Sequence, residues 1–312
     1  MSLSGILPLN KPAGLRSTYC VQRVRGILGK KIKTGHGGTL DSTASGLLLV
    51  LVGQATRLSN FVMEMPKRYE AEIAFGAATS TDDMSGEVTA RAPWEHITDE
   101  MIDSALCGFM GWRMQSPPAV SAVHIEGERA HALARGGRAV IPEAKPVCFV
   151  KISRLSSLDG SGRVRMCVDC RKGTYIRSFA RDLGERLGSL AHIASLARIS
   201  SGPFSITKAK GAEALFEMSR EELAAELIPV TGLCELFPGY EADGDSFERL
   251  SHGQRITLAG LKRRPLVQTA PLAGRLVVAS ERIFSICSPF PCGGTFELAP
   301  EVNIIIQGGG AE

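Results

Sequence analysis

No apolar run in the sequence approaches the ~20 residues that a membrane-spanning helix needs; the longest, residues 46–53, is far shorter. No membrane association is expected. The first ten residues carry neither a charged leader nor a long apolar stretch, so a secretory signal is not expected. Aromatic residues are few, 6% of the chain, yet 44% of it is hydrophobic and 22% charged. That mixture can bury a core and excludes disorder as the main theme. The most pointed absence is of negative charge at the start. Residues 1–40 hold seven basic side chains and no acidic one; the first carboxylate is Asp41.

A metal centre and a disulfide framework are also without support. The eight cysteines are spread from Cys20 to Cys292, and the one C-x-x-C, Cys167–Cys170, has no second ligand pair; the nearest histidine is His192. Zinc sites draw on closely spaced ligand pairs. Free thiols in a reducing cytosol are expected, with a cytoplasmic location and no metal. A redox role for Cys167–Cys170 would want a helix N-terminus, whereas residues 164–170 read as a strand.

What is present is an uneven charge. The net +4 combines 28 basic and 18 acidic residues over 1–210, 2 and 10 over 211–250, and 6 and 4 over 251–312. A body of net +10 is thus followed by a connector of net −8 and a tail of net +2. A basic body points to a polyanion partner, although any single lysine or arginine can simply solvate a surface. At roughly 150 residues per domain, 312 residues also suggest about two domains.

Local patterns predict a helix over 17–28, capped by Ser17 and stopped by Gly29. Residues 30–45 read as loop. The continuous apolar run 46–52 reads as a buried strand or short helix. Residues 68–75 alternate, with Tyr69, Ala71, Ile73 and Phe75 on one face of a strand. Thr98 is placed to cap a helix through Phe109. Residues 115–142, rich in Pro, Gly, His and Arg, form a long functional insertion. Strands follow over 146–155 and 163–170, then a helix over 174–187 and an acidic helix over 213–227. Beyond Thr231, short alternating runs predict a small β-rich domain.

Three segments carry chemistry. In Gly35-His36-Gly37-Gly38-Thr39-Leu40-Asp41, three glycines allow close backbone approach. Asp41 follows a cationic stretch and precedes an apolar one, which suits an ionised nucleophile or base; from this segment alone, an aspartate that merely fixes the turn is the better reading. Lys172-Gly173-Thr174-Tyr175-Ile176-Arg177 stands at a strand-to-helix junction, where Arg177 could pair with a carboxylate. In Lys67-Arg68-Tyr69 an aromatic follows two cations, as suits base stacking beside phosphates, or a place in the core.

In this order and spacing, the three segments resemble the TruB-type tRNA pseudouridine synthases. Further matching stretches are S-G-L-L-L-V-L-V-G-Q-A-T-R (45–57), P-P-A-V-S-A-V-H-I-E-G-E-R-A (117–130), D-L-G-E-R-L (182–187) and S-G-P-F (201–204). The resemblance covers about residues 5–210. It implies an α+β fold: a mixed, largely antiparallel sheet flanked by helices, with a T-arm-binding insertion at about 115–142. A small PUA-like β-barrel is implied at 231–312, leaving a catalytic domain at 1–230.

The activity implied is isomerisation of uridine 55 in the tRNA T-loop to pseudouridine. The N1–C1′ bond breaks, the uracil turns, and C5 bonds to C1′, without cofactor or metal. Asp41 matches the family's essential aspartate. Tyr69 matches the tyrosine stacked on the uracil, Arg177 the arginine paired with the aspartate, Tyr175 a pocket tyrosine and Leu196 a leucine packed on the base. His36 matches the histidine that helps hold the T-loop with its target base flipped out, and flipping is what chemistry on a stacked base requires. Lys30, Lys31, Lys33, Arg129 and Lys172 are the basic residues expected to contact the RNA. The partner implied is the tRNA T-arm, bound by a monomer without a guide RNA. Departures from the family pattern are Ser42 and Leu49 where proline is common, His124 for lysine, His131 for tyrosine and Ala197 for arginine. A non-catalytic RNA-binding module using the same basic surface is the rival reading, and a guide-RNA-dependent enzyme is a third.

Overall fold

In the computed structural model, residues 3–119, 124–125, 128–129, 143–264, 274–293 and 295–306 are described. Most of the insertion expected at 115–142 therefore lies outside the described residues, with His131 among them. The chain divides into two compact units. One comprises residues 1–41, 46–65 and 200–312, the other residues 42–45 and 66–199.

The first unit opens with β1 (Gly5–Lys11), α1 (Ser17–Leu28), β2 (Thr34–His36), β3 (Ser45–Val52) and α2 (Ser59–Glu64). The run 46–52 is a strand, and it is buried along its whole length. β1 pairs antiparallel with β3 from Gly5↔Val52 to Lys11↔Gly46. β2 adds to the other side of β3, with His36 opposite Val50, so the segment read as loop contains a short strand. α1 keeps the expected span, and Gly29 ends it at φ 122°. Ser17, however, does not cap it: the N-cap is Arg16. Cys20, Val24 and Leu28, one helical face, pack with Leu7, Leu9, Leu48 and Val50.

The second unit holds β4 (Lys67–Phe75), β5 (Ala77–Thr79), β6 (Val88–Arg91), α3 (Asp99–Cys107), β7 (Gly111–Gln115), β8 (His124–Ile125), β9 (Glu128–Arg129), β10 (Lys145–Arg154), β11 (Arg163–Cys170), α4 (Ile176–Arg186) and β12 (Ala191–Ser201). Its sheet runs β12-β4-β11-β10-β7. β4, β11, β10 and β7 are antiparallel neighbours. The predicted alternation is realised: Ala71, Ile73 and Phe75 of β4 are buried with Val164, Met166 and Val168 of β11, and Ile102 of α3, Phe109, and Phe179 and Leu183 of α4 join the same core. Phe109 lies just past α3, which ends two residues earlier than predicted. Its ring sits edge-on to Phe179 at 5.1 Å. Thr98 caps α3 by accepting from Met101 N–H.

The chain then returns to the first unit through β13 (Phe204–Ser205), β14 (Lys210–Gly211), α5 (Ala212–Phe216), α6 (Arg220–Ala225) and β15 (Ile228–Pro229). β14 joins β1 in parallel, which makes this sheet mixed. The acidic segment predicted as one helix is two. Ser219 starts the second with a capping box, its hydroxyl accepting from Glu222 N–H while the Glu222 carboxylate accepts from Ser219 N–H.

The last stretch comprises β16 (Gly239–Glu241), α7 (Gly244–Ser251), β17 (Ile256–Thr257), β18 (Leu276–Ala279), β19 (Ile283–Cys292) and β20 (Thr295–Ile305). It forms the expected small sheet, ordered β16-β18-β19-β20-β17. One face of it belongs to a core shared with the start of the chain: Val277, Ala279, Phe284, Ile286 and Ile304 pack with Leu58, Phe61, Val62 and Met65. No described helix is long and apolar enough to cross a membrane.

Candidate active site

The first unit presents the glycine-rich segment. Gly37 N–H donates to Leu49 C=O at 2.8 Å, and a Cβ at Gly37 would collide with the Val62 side chain. This position admits no larger residue without movement of α2. Gly38, at φ 120°, turns the chain, and its N–H faces Nδ1 of the half-buried His36 at 3.4 Å. Nδ1 is the acceptor in that contact.

The segment is anchored once more, at a point the sequence reading missed. Ser17 is buried, and its hydroxyl bonds both backbone groups of Leu40: it donates to the carbonyl at 2.8 Å and accepts from the N–H at 2.9 Å. Leu40 is itself buried. Asp41, the next residue and partly exposed, therefore leaves a backbone held on both sides of its peptide neighbour. The buried Lys11 ammonium performs a related task, donating to the carbonyls of Pro12 and Leu15 at 3.0 and 2.8 Å. Lys30, Lys31 and Lys33 are exposed between α1 and β2, as phosphate contacts require.

The second unit holds Tyr69, Tyr175, Arg177 and Leu196. Tyr69 and Leu196 pack against the core to which Ile176 and Phe179 of α4 belong. Tyr175 is the N-cap of α4, extended at φ −99° and ψ 113°. Arg177, in the first turn, is 5% exposed and donates to Thr81 C=O at 2.9 Å. A guanidinium is always charged and is rarely buried without a task. Lys172 is exposed just before the helix. Arg129 lies in the short β8–β9 pair; its side chain is outside the described residues.

Around Arg177 the turn 79–86 adds two carboxylates that sequence reasoning did not single out. Asp82 sits at φ 57°, the sole non-glycine residue at positive φ among those described. Burial pushes its carboxyl above the ordinary range, although Arg181, at 3.0 Å, and Arg177 pull it down. Asp83 is the opposite case: burial pushes it up, but hydrogen bonds from Ser85, Thr81 and Thr43 outweigh that and hold it below the ordinary value. An aspartate followed by serine in a T-x-T-D-D-x-S-G turn was the available signal, since Asx turns favour such residues.

Cys167 and Cys170 lie in β11, and burial pushes the Cys170 thiol up to about 12, far from the lowered value of a reactive cysteine. Among the described residues no three His, Cys, Asp or Glu side chains come together as a metal site. The groups available are the Asp41 carboxylate on a braced loop and, in the other unit, the buried Arg177 cation with the Asp82 carboxylate near it.

The profile of the TruB family pseudouridylate synthase (N terminal domain) matches residues 25–176. The tRNA pseudouridine synthase B of Roseobacter denitrificans is 42% identical over 252 residues, 80% of this chain and 82% of that protein. The protein of the same name from Synechocystis is 36% identical over 301 residues, 95% of each. In fold, the chain is similar to the solved Cbf5-Nop10-Gar1 complex, with a TM-score of 0.69 at 22% identity, covering 97% of this chain and 85% of that one. Identity of this order over most of the chain makes this chain a member of the TruB family of pseudouridylate synthases.

Proposed function

We propose that the protein isomerises uridine 55 in the T-loop of tRNA to pseudouridine, with Asp41 as the catalytic carboxylate and the target base flipped out of its stack. What supports this reading is that the chain's relatives are named tRNA pseudouridine synthase B, together with the buried Arg177 two residues after Tyr175 at the start of α4, in a unit whose core Tyr69 and Leu196 pack against.

In this reading Tyr69 stacks on the uracil and Leu196 packs against it. Arg177 is the cation paired with the aspartate, a role that a buried and permanently charged side chain suits. The Asp41 carboxylate acts at the ribose, either by attack on C1′ or by removal of the C2′ proton. The uracil leaves through N1, turns, and bonds through C5, whose proton is lost to solvent. The reaction rearranges one molecule, so no oxidant, reductant or group donor enters. One carboxylate suffices where a glycosidase needs two, because the leaving base is recaptured rather than replaced by water. Lys30, Lys31, Lys33, Lys172 and Arg129 contact the T-arm phosphates; His36 holds the opened loop; residues 231–312 add a PUA-like RNA-binding surface. The relatives' name favours an enzyme that acts without guide RNA, and we take it to act as a monomer.

The test is release of tritium from C5-labelled uridine in a T-arm transcript, with no other protein or RNA present. Wild type is expected to release one tritium per target uridine, and Asp41→Asn to lower the rate by about 10³-fold or more, as loss of an essential catalytic group does. Undiminished release by Asp41→Asn would remove the carboxylate from the mechanism. No release by wild type, with RNA still bound, would favour an RNA-binding module.

A further inference from the structure

The end of β7 carries a buried carboxamide. Gln115 is 3% exposed, and its side chain meets both backbone polar groups of a residue 60 positions away. Tyr175 N–H donates to Gln115 Oε1 at 2.9 Å, and Gln115 Nε2 donates to Tyr175 C=O at 3.1 Å. The next carbonyl, that of Ser116, accepts from Ser178 Oγ at 2.8 Å and from Arg181 Nη2 at 2.9 Å. Arg181 in turn reaches Asp82 and Asp182.

These contacts fall on a helix start that has no cap of its own. Tyr175 makes no side-chain capping bond to α4, and a helix N-terminus leaves its first N–H groups to be satisfied from elsewhere. Here the backbone just ahead of the helix is clamped from β7. Tyr175 and Arg177 flank the first helical residue, Ile176. A shift of the Tyr175 peptide moves both side chains together, because the φ and ψ of residue 175 set the direction in which α4 leaves it.

We infer that Gln115 is a positioning residue for the uracil pocket: its carboxamide fixes the Tyr175 backbone and so the aim of Tyr175 and Arg177. This inference rests on the proposed function. It concerns geometry rather than contact with substrate, and its chemistry is specific. The joint needs one acceptor and one donor on a single planar group. Methionine offers neither. An ionised glutamate offers two acceptors, one of them set against the Tyr175 carbonyl. A protonated glutamate offers one of each, like glutamine. Gln115→Glu thus makes the joint titratable, and burial raises the pH at which it re-forms.

The experiment uses the full chain and the C5-tritiated T-arm transcript, at single turnover with enzyme in excess, beside RNA affinity from filter binding. Gln115→Met is expected to slow turnover by about 10- to 100-fold, the loss a small misplacement brings, with Kd within about threefold of wild type. For Gln115→Glu, the ratio of its rate to the wild-type rate is expected to rise about threefold or more between about pH 8.5 and about pH 6. Charged groups on the neighbouring elements are Lys145 across the β7–β10 pair, Arg113 on β7, Arg177, Arg181 and Asp182 on α4, and Asp82 in the turn. All are common to variant and wild type, so the ratio isolates residue 115. If Gln115→Met fails to fold, the glutamate ratio still decides. An active wild type with unimpaired Gln115→Met, or a glutamate ratio flat with pH, overturns the inference. A wild type that releases no tritium overturns the functional reading beneath it.

Discussion

Four donors converge on the Asp83 carboxylate. Thr81 Oγ1 lies at 2.7 Å, Ser85 N–H at 3.0 Å and Ser85 Oγ at 2.6 Å from Oδ1, and Thr43 Oγ1 at 3.0 Å from Oδ2. The side chain is buried, so these bonds replace the water it gave up. Its carboxyl is held below the ordinary value, which fixes the sign of its pH dependence. A depressed folded-state pKa means stability that is present above the unfolded value and lost as pH falls through the folded one. Asp83→Asn removes the charge but keeps the shape. It is expected to lower unfolding free energy by about 1.5–3 kcal/mol at neutral pH, the scale of hydrogen bonds to a charged group. In urea titrations, the gap between wild type and variant should shrink as pH falls from the ordinary aspartate value of about 4 down through the lower value of the folded state. A gap independent of pH would show that the carboxylate charge contributes nothing. The nearness of Thr43 to Asp41 in sequence made none of this legible: the bond to residue 83 spans 40 positions, and no local pattern announces it.

At the scale of elements, the segment from β2 to Asp41 is held by close packing as much as by hydrogen bonds. Gly37 is pinned at its N–H by Leu49 and faces Val62 of α2, whose Cβ would lie 3.1 Å from a new Cβ at position 37. The backbone cannot retreat without breaking the bond to β3. Gly37→Ala is therefore expected to destabilise by about 1–3 kcal/mol, the range for overpacking. Trimming the opposing side chain should relieve it. The double variant Gly37→Ala/Val62→Ala is expected to be more stable, by about 1 kcal/mol or more, than the sum of the two singles implies. Urea denaturation of the four proteins measures that coupling, and strict additivity would show that the two groups do not meet. The same elements show what local pattern can and cannot reveal. β4 was legible because period-two alternation decides which face is buried, and α1 because its apolar spacing and Gly29 are local. The start of α4 was read two residues early: Tyr175 is extended, and its backbone bonds Gln115, 60 positions away, which no local pattern announces. Ser17 had the chemistry of a cap, but its hydroxyl is taken by Leu40. The split of the acidic segment was written in Ser219 and Glu222, and its continuous acidity hid it.

At the scale of the molecule, the final 82 residues look separable by sequence, with their own short strands after an acidic connector. Their packing within the first unit argues otherwise. Phe284, Ile286 and Ile304 share one core with Ile6, Leu58, Phe61 and Val62. Polar ties run alongside: Arg57 donates to Asn303 C=O at 2.5 Å, Gln54 to Ile305 C=O at 3.4 Å, and Arg275 pairs with both Glu64 and Glu301. Covering a large apolar side chain is worth about 1.5–3 kcal/mol, and removal of the tail would uncover several at once. That loss is comparable with the whole ~5–15 kcal/mol by which a domain is stable. A chain ending at Val230 is therefore expected to melt more than about 10 °C below the full chain, or to unfold without a cooperative transition. If the tail were only an RNA-binding appendage, the truncated chain would keep its melting temperature and lose RNA affinity alone. Thermal denaturation followed by circular dichroism, beside filter binding of the T-arm transcript, separates these outcomes. A tail that contributes to the core is part of the unit that carries His36 and Asp41, so that variants in β18–β20 should act on the stability of that unit before they act on RNA affinity.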